Sequence, residues 1–143
     1  MYFVNHEQIE QRLQFMSVIV KGCEQITSQW ETNPSDLMLQ LAQERIIQLA
    51  IESVTDVGSL LIDGFVLRDA SSYDDIIEIL KMEQVFEDSI STALLKLVKL
   101  RRPLVQEYVS WDRGILHPLT KEMIHILPVF ADDVRAFIRK ELA

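Results

Sequence analysis

The sequence predicts an all-α protein, an antiparallel up-and-down bundle of four long helices and one short helix. Apolar residues recur at steps of three and four, no segment alternates as a strand does, and the 143 residues include only four glycines and four prolines. Helices that each carry one apolar stripe bury it against each other, which gives a bundle. We expect one domain over residues 1–143, long enough to form a core without disulfides or metals.

The first two helices are predicted to be long. The first begins after Asn5, which can cap it, and ends near residues 25–28. The apolar stripe of this helix is Ile9, Leu13, Met16, Val20 and Cys23. The second extends from Asp36 to Asp63, and Gly64 can end it. Its predicted inner face is Leu39, Ala42, Ile46, Leu49, Ser53, Val57 and Leu60.

A connector of unusual composition follows the second helix. The residues from Phe65 to Ser71 begin with an apolar run, and Ser72 can then cap a short helix that ends near Met82. Phe65 and Leu67 can anchor the connector to the core of their own chain. Alternatively, the same apolar residues can contact a partner subunit.

The fourth and last helices are interrupted by prolines. The fourth carries apolar residues from Ile90 to Leu100 and should kink or restart at Pro103, which has no N–H. The last helix extends from about Pro118 to Leu142, with a further kink expected at Pro128.

The charge of the chain is acidic, with a formal net charge of −8. A general nucleic-acid binder would attract phosphate over its whole surface, so this balance argues against one. A local basic cluster is nevertheless present: Lys96, Lys99, Arg101 and Arg102. The single cysteine, Cys23, excludes an internal disulfide, fits a reducing compartment, and lies on an apolar stripe as a core thiol.

Targeting and metal-binding motifs are missing from the sequence. The first residues lack a basic and then apolar signal, and no apolar run is long enough to span a membrane, so we expect a cytoplasmic protein without a membrane partner. The three histidines are scattered. The pair Glu122 and His125 is a lone Glu-x-x-His, whereas a di-iron bundle needs two. We therefore expect neither a metal nor a cofactor.

The segment Leu-Arg-Arg-Pro-Leu-Val-Gln-Glu-Tyr, residues 100–108, carries the most specific pattern. It resembles the Arg-x4-His-x-Tyr signature of the HepT-like branch of the HEPN superfamily. Arg101, Val105 and Tyr108 stand at matching positions, whereas Gln106 takes the place of the family's histidine and Arg102 that of its usual asparagine. In a regular α-helix, Arg102 and Gln106 would be neighbours, and Arg101 and Tyr108 would share a stripe.

The resemblance implies a metal-independent RNA endonuclease toxin that forms a homodimer and is paired with a minimal nucleotidyltransferase antitoxin. In such a site Arg101, Arg102 and Lys99 would contact RNA phosphate, and the histidine would move a proton. Gln106 cannot do this because a carboxamide does not titrate, and the loss of acid–base help costs about 10²–10⁴-fold in rate. The predicted site is therefore degenerate, with weak or no nuclease activity. Without the resemblance, the arginines would be assigned to ordinary ion pairs.

Two further features belong to this hypothesis. The resemblance implies that the hydroxyl of Tyr108 accepts AMP from the antitoxin, which silences the toxin; the alternative is a half-buried tyrosine. Glu52 and Asp56 are like charges four residues apart on the second helix, and Arg101 or Arg102 could lie between them as a cationic partner. Their alternative is a solvated or interhelical ion-pair face.

Two functions remain open from the sequence. The first is a toxin homologue that acts on RNA. The second is a non-enzymatic, dimeric helical module that binds a partner through the same cleft, which the replacement of histidine by Gln106 favours.

Overall fold

Five α-helices and no strand make up the computed structural model, which describes all residues from Met1 to Ala143. The all-α prediction is confirmed. The helices are α1 (His6–Trp30), α2 (Leu37–Gly64), α3 (Tyr73–Met82), α4 (Asp88–Lys99) and α5 (Pro118–Leu142). α5 continues through Pro128 without a break. None of the helices combines the length and the hydropathy that a membrane crossing requires.

Neighbouring long helices run in opposite directions. Near the end of α1, Gly22 lies against Ile46 in the first half of α2. Arg12, earlier in α1, pairs with Asp56 later in α2, so the order of contacts is reversed. α1 is likewise antiparallel to α5, since His6 and Leu142, at opposite helix ends, line the same cleft.

Side-chain capping sets the helix starts that the sequence predicts. Asn5 accepts a hydrogen bond from the Gln8 N–H at 3.2 Å, and Ser72 accepts one from the Asp75 N–H at 3.1 Å. Asp36 caps α2 through the N–H groups of the second and third residues after it. These bonds satisfy amide groups that have no partner inside the helix.

Trp30 extends α1 beyond its predicted end at residues 25–28. Its side chain is buried with Ile26 and Leu39 in a small apolar cluster, apart from the main core. Burial of a large aromatic ring stabilises the last turn of α1, although this turn lies in a polar stretch of sequence.

The buried face of α2 differs from the predicted one by one residue. Gln43, Ile47, Ala50 and Leu61 are buried, whereas Ala42 is exposed. One residue corresponds to a rotation of about 100°. The predicted face of this helix is wrong there, because a buried glutamine carries no apolar signal.

The connector after α2 is anchored within its own chain. Phe65 is buried and makes edge-to-face contacts with Phe137 and Tyr2, with ring centroids 5.2 and 4.9 Å apart. Leu67 packs against the same core, whereas Val66 is exposed. The anchoring alternative is confirmed, so Phe65 does not offer a surface to a partner subunit.

Candidate functional site

The backbone of the arginine segment departs from α-helical geometry. α4 ends at Lys99, and a π-helix follows over Arg102–Gln106, closed by a hydrogen bond from the Glu107 N–H to the Arg102 carbonyl at 3.1 Å. Pro103 has no N–H to continue the α-helical pattern, and a π turn accommodates that gap. The interruption predicted at Pro103 is confirmed.

Tyr108 begins a separate turn of 3-10 helix, Tyr108–Ser110, after a change of backbone direction at Glu107. Residues 101–108 therefore do not form one regular α-helix. The prediction that Arg101 and Tyr108 share a helical stripe is wrong, because seven-residue spacing has that meaning only in an unbroken α-helix.

Arg101 is half-buried and has an aromatic neighbour. Its Cζ lies 4.2 Å from the centroid of the Tyr73 ring, the first residue of α3. Its Nε is buried and has no hydrogen-bond partner. Arg101 and Arg102 form no ion pair, and the same holds for Lys99. The assignment of the arginines to ordinary ion pairs is therefore wrong.

The acidic stripe of α2 is arranged differently from the prediction. Asp56 pairs with Arg12 of α1, with Nε and Oδ2 3.2 Å apart, so its cationic partner is neither Arg101 nor Arg102. The interhelical ion pair, which was the alternative, describes Asp56. The side chain of Glu52 is half-buried and makes no hydrogen bond or ion pair.

Gln106 and Tyr108 both face solvent. The side chain of Gln106 is exposed and forms no hydrogen bond with the rest of the chain. Tyr108 is 58% exposed, and its hydroxyl group is also without a hydrogen bond. The half-buried alternative for Tyr108 is wrong, and its hydroxyl is accessible to another protein.

An ion pair fixes the segment that follows Tyr108. Arg113 donates from Nε to Glu44 Oε2 at 2.7 Å and from Nη2 to Glu44 Oε1 at 2.8 Å. The same guanidinium group donates to the Tyr108 carbonyl at 3.3 Å. The pKa of Arg113 is raised because its bonds to the Glu44 carboxylate favour the charged form.

Gln43 joins α2 to the start of α5 through three hydrogen bonds. Its Nε2 donates to the Ile115 carbonyl at 3.0 Å. Its Oε1 accepts from the His117 N–H at 2.8 Å and from the Thr120 hydroxyl at 2.7 Å. A fully buried amide with these partners specifies where the chain re-enters the bundle.

A cleft of about 520 Å³ lies beside Tyr73, between the end of α2 and the start of α3. Asp63 and Asp69 line it with several serines, and it contains no cationic side chain. Its charge is therefore unsuited to RNA phosphate. No three His, Cys, Asp or Glu side chains in the chain converge as metal ligands.

Tyr73, Gln43 and the pair of Glu44 with Arg113 were not predicted from sequence. Each acts across at least 28 positions of the chain, and a single sequence carries no signal of such long-range polar pairing. A tyrosine after a serine cap could be recognised as a helix start, but not as the neighbour of an arginine on another helix.

Comparison with known proteins assigns the chain to a family. The family described as "Ribonuclease HepT-like" matches residues 7–140. The chain belongs to the HepT-like ribonuclease family. The resemblance carried by residues 100–108 is confirmed at the level of the family.

The individual relatives agree with this assignment. The Bacillus subtilis (strain 168) protein named "Putative RNase YutE" is 37% identical over 142 residues, which cover 99% of this chain and 95% of that protein. The solved structure of YutE is described as a cytosolic protein of unknown function. It superposes with a TM-score of 0.86, and the match covers 99% of this chain and 96% of the YutE chain.

Two structures of toxin–antitoxin complexes share the fold at lower identity. One, with AMP-PNP, is 18% identical with a TM-score of 0.78 and covers 91% of this chain and 98% of its own. The other is a tri-AMPylated Shewanella oneidensis HEPN toxin with its MNT antitoxin. It is 19% identical with a TM-score of 0.66, and the match covers 93% of this chain and 95% of the toxin chain. At these identities the HEPN helical fold is what the chains have in common.

Proposed function

We propose that this HepT-like protein is a toxin homologue that binds RNA through Arg101, Arg102 and Lys99, with weak or no nuclease activity. The observation that carries the proposal is the state of the arginines: in an acidic chain, neither forms an ion pair, and both have donors free for phosphate. Guanidinium groups bind phosphate oxygens in a bidentate manner, and lysine adds a point charge.

The nuclease activity depends on the group at position 106. Cleavage of RNA without a metal needs a group that takes up and releases a proton near neutral pH. Gln106 can donate and accept hydrogen bonds but cannot transfer a proton. Glu52 is an unpaired carboxylate on α2, and we propose that it supports the arginine site electrostatically. Asp56 is not proposed for this role, because it forms an ion pair with Arg12.

We further propose that Tyr108 accepts AMP from a nucleotidyltransferase antitoxin and that the protein acts as a homodimer. An exposed phenol without a hydrogen bond is a reachable acceptor, and the added phosphate would lie close in sequence to Arg101 and Arg102. The AMPylated Shewanella oneidensis toxin, which shares the fold, supports the same chemistry for this chain.

Restoration of the missing group tests the proposal. Purified wild type, Arg101→Ala, Gln106→His and the double variant are incubated with total cellular RNA without divalent cations. We expect wild type to cleave weakly or not at all, Gln106→His to cleave, and Arg101→Ala to abolish that gain. Gln25→His places the same residue on the exposed face of α1 and is the matched control.

The same experiment distinguishes the alternative function. If Gln106→His leaves the RNA intact, a histidine at this position does not make the site a nuclease, and the enzymatic proposal fails. Retained binding of RNA by wild type, lost in Arg101→Ala, would then identify a non-enzymatic binding module.

Modification and assembly have their own measurements. Mass spectrometry of the protein, produced together with a nucleotidyltransferase from the same genome, should show AMP on Tyr108 and none on Tyr108→Phe. An unmodified Tyr108 would remove this part of the proposal. Light scattering at micromolar concentration should give the mass of a dimer, and a monomer would contradict the homodimer.

A further inference from the structure

The half-buried Arg101 contacts the aromatic ring of Tyr73. The Cζ to ring-centroid distance of 4.2 Å lies within the range of about 6 Å over which a guanidinium group is attracted to an aromatic face. The Nε, bonded to that Cζ, is buried and has no hydrogen-bond partner. The guanidinium group forms no hydrogen bond or ion pair within the chain, so its contact with the ring is the one that can orient it.

The backbone that leads into Tyr73 is held by a compact set of polar contacts. Asp75 accepts two hydrogen bonds from Arg68, at 2.7 and 2.8 Å, and one from the Ser71 N–H at 2.9 Å. Its own N–H donates to the Ser72 hydroxyl at 3.1 Å. These contacts hold the residues on both sides of Tyr73, so they fix the backbone from which its side chain extends.

The depth at which α3 sits on the bundle is also fixed. Gly58 of α2 lies directly under α3, and a Cβ at that position would overlap the side chain of Ile76. Ile76 and Ile77 are buried just after Tyr73. α3 therefore packs tightly against α2, and this packing fixes the position of the Tyr73 ring relative to the arginine segment.

We propose that Tyr73 is a positioning residue that holds the guanidinium group of Arg101 for binding to RNA phosphate. This inference rests on the proposed function, because it describes how the RNA-contacting arginine is oriented. The Cζ lies over the ring and the Nε is buried, so the donors of the two terminal nitrogens are left for two oxygens of one phosphate. A guanidinium group held in place before binding loses less conformational freedom when it binds.

The ring of Tyr73, not its hydroxyl, performs this role. The hydroxyl forms no hydrogen bond and the residue is 41% exposed, so Tyr73→Phe retains the contact and is the conservative variant. Tyr73→Leu keeps an apolar side chain but removes the aromatic face. Met82→Ala, an exposed position at the other end of α3, is the control for a general effect on this helix.

The first test measures the contact without RNA. The Arg101 Nε–H resonance in a ¹H–¹⁵N NMR spectrum, assigned by its loss in Arg101→Lys, should be displaced upfield by the ring. We expect the displacement to persist in Tyr73→Phe and in Met82→Ala and to disappear in Tyr73→Leu. The same resonance position in wild type and Tyr73→Leu would overturn the proposal.

The second test measures the consequence for binding. The affinity for a fluorescein-labelled single-stranded RNA of mixed sequence should fall about 2- to 30-fold in Tyr73→Leu and be unchanged in Tyr73→Phe. In an Arg101→Ala background, Tyr73→Leu should add less than about a twofold change, because both variants remove the same interaction. Equal losses in both backgrounds would show that Tyr73 does not act through Arg101.

The two tests separate this inference from the proposed function. If wild type does not bind the RNA, the proposed function fails, and the NMR displacement still decides whether Tyr73 orients Arg101. If wild type binds RNA but Tyr73→Leu changes neither the spectrum nor the affinity, the proposed function stands and the positioning role is wrong.

Discussion

Arg113 donates two hydrogen bonds to Glu44, at 2.7 and 2.8 Å, and thereby connects the segment after Tyr108 to the first half of α2. Both side chains are more than half withdrawn from solvent, with exposures of 31% and 15%. A bidentate pair in this setting is well ordered, unlike most exposed ion pairs. The exposed phenol of Tyr108 is thus presented from a fixed backbone.

Arg113→Ala should loosen that backbone. We expect a small decrease in the free energy of unfolding, because charge-assisted hydrogen bonds are lost from a partly exposed site. Urea denaturation measures the loss, and hydrogen exchange of residues 108–117 should accelerate. Arg45→Ala, at an exposed position of α2, is the control. Unaltered exchange in Arg113→Ala would show that the pair does not hold the segment.

Gln43→Leu should destabilise the fold more strongly. The substitution leaves the Ile115 carbonyl, the His117 N–H and the Thr120 hydroxyl without their partner. The Thr120 hydroxyl is buried, whereas the other two groups are only partly buried. An unpaired buried group costs about 1–3 kcal/mol, so we expect a total loss of at least about that size. Chemical denaturation measures it against Gln25→Leu, an exposed site where the change should stay within about 0.5 kcal/mol. Equal stability of the two variants would contradict the role of Gln43.

His117 should make the stability depend on pH. Its Nδ1 accepts a hydrogen bond from the Leu119 N–H at 3.1 Å, and burial lowers its pKa below the usual value. The unfolded chain therefore binds the proton more readily. The contribution of neutral His117 to the free energy of unfolding is therefore fully present above the ordinary histidine pKa of about 6.5. It decreases as the pH falls below that value.

The measurement is the unfolding free energy of wild type and His117→Asn between pH 7.5 and about pH 5, a range above most carboxylate titrations. Asparagine keeps a capping acceptor and does not titrate. We expect the difference between the two proteins to narrow or reverse toward acidic pH. If the unfolding free energies of the two proteins change with pH in parallel, His117 is not the source of the pH dependence.

Cys23 should be inert while the protein is folded. Burial raises the pKa of its thiol to about 11, so the thiolate fraction at pH 8 is on the order of one in a thousand. We expect a disulfide reagent such as DTNB to react slowly in buffer and rapidly in concentrated urea. Rapid reaction of the native protein would contradict the burial of Cys23 on α1.

The sequence predicts the fold and the location of the arginine segment because both depend on local patterns. Helical periodicity places the long helices, and Ser72 and Pro103 mark a start and an interruption through their own chemistry. The surroundings of the site were harder to predict. The partner of Asp56 is Arg12 and the neighbour of Arg101 is Tyr73, and such pairs are fixed by the packing of whole helices.

The exposed side chain of Gln106, which forms no hydrogen bond, has a consequence at the level of the gene. Glutamine and histidine codons share their first two bases and differ at the third. A point mutation could therefore restore the imidazole, and no neighbouring side chain would have to repack around it. If the proposed function holds, a single nucleotide separates this protein from one that carries the histidine of its family.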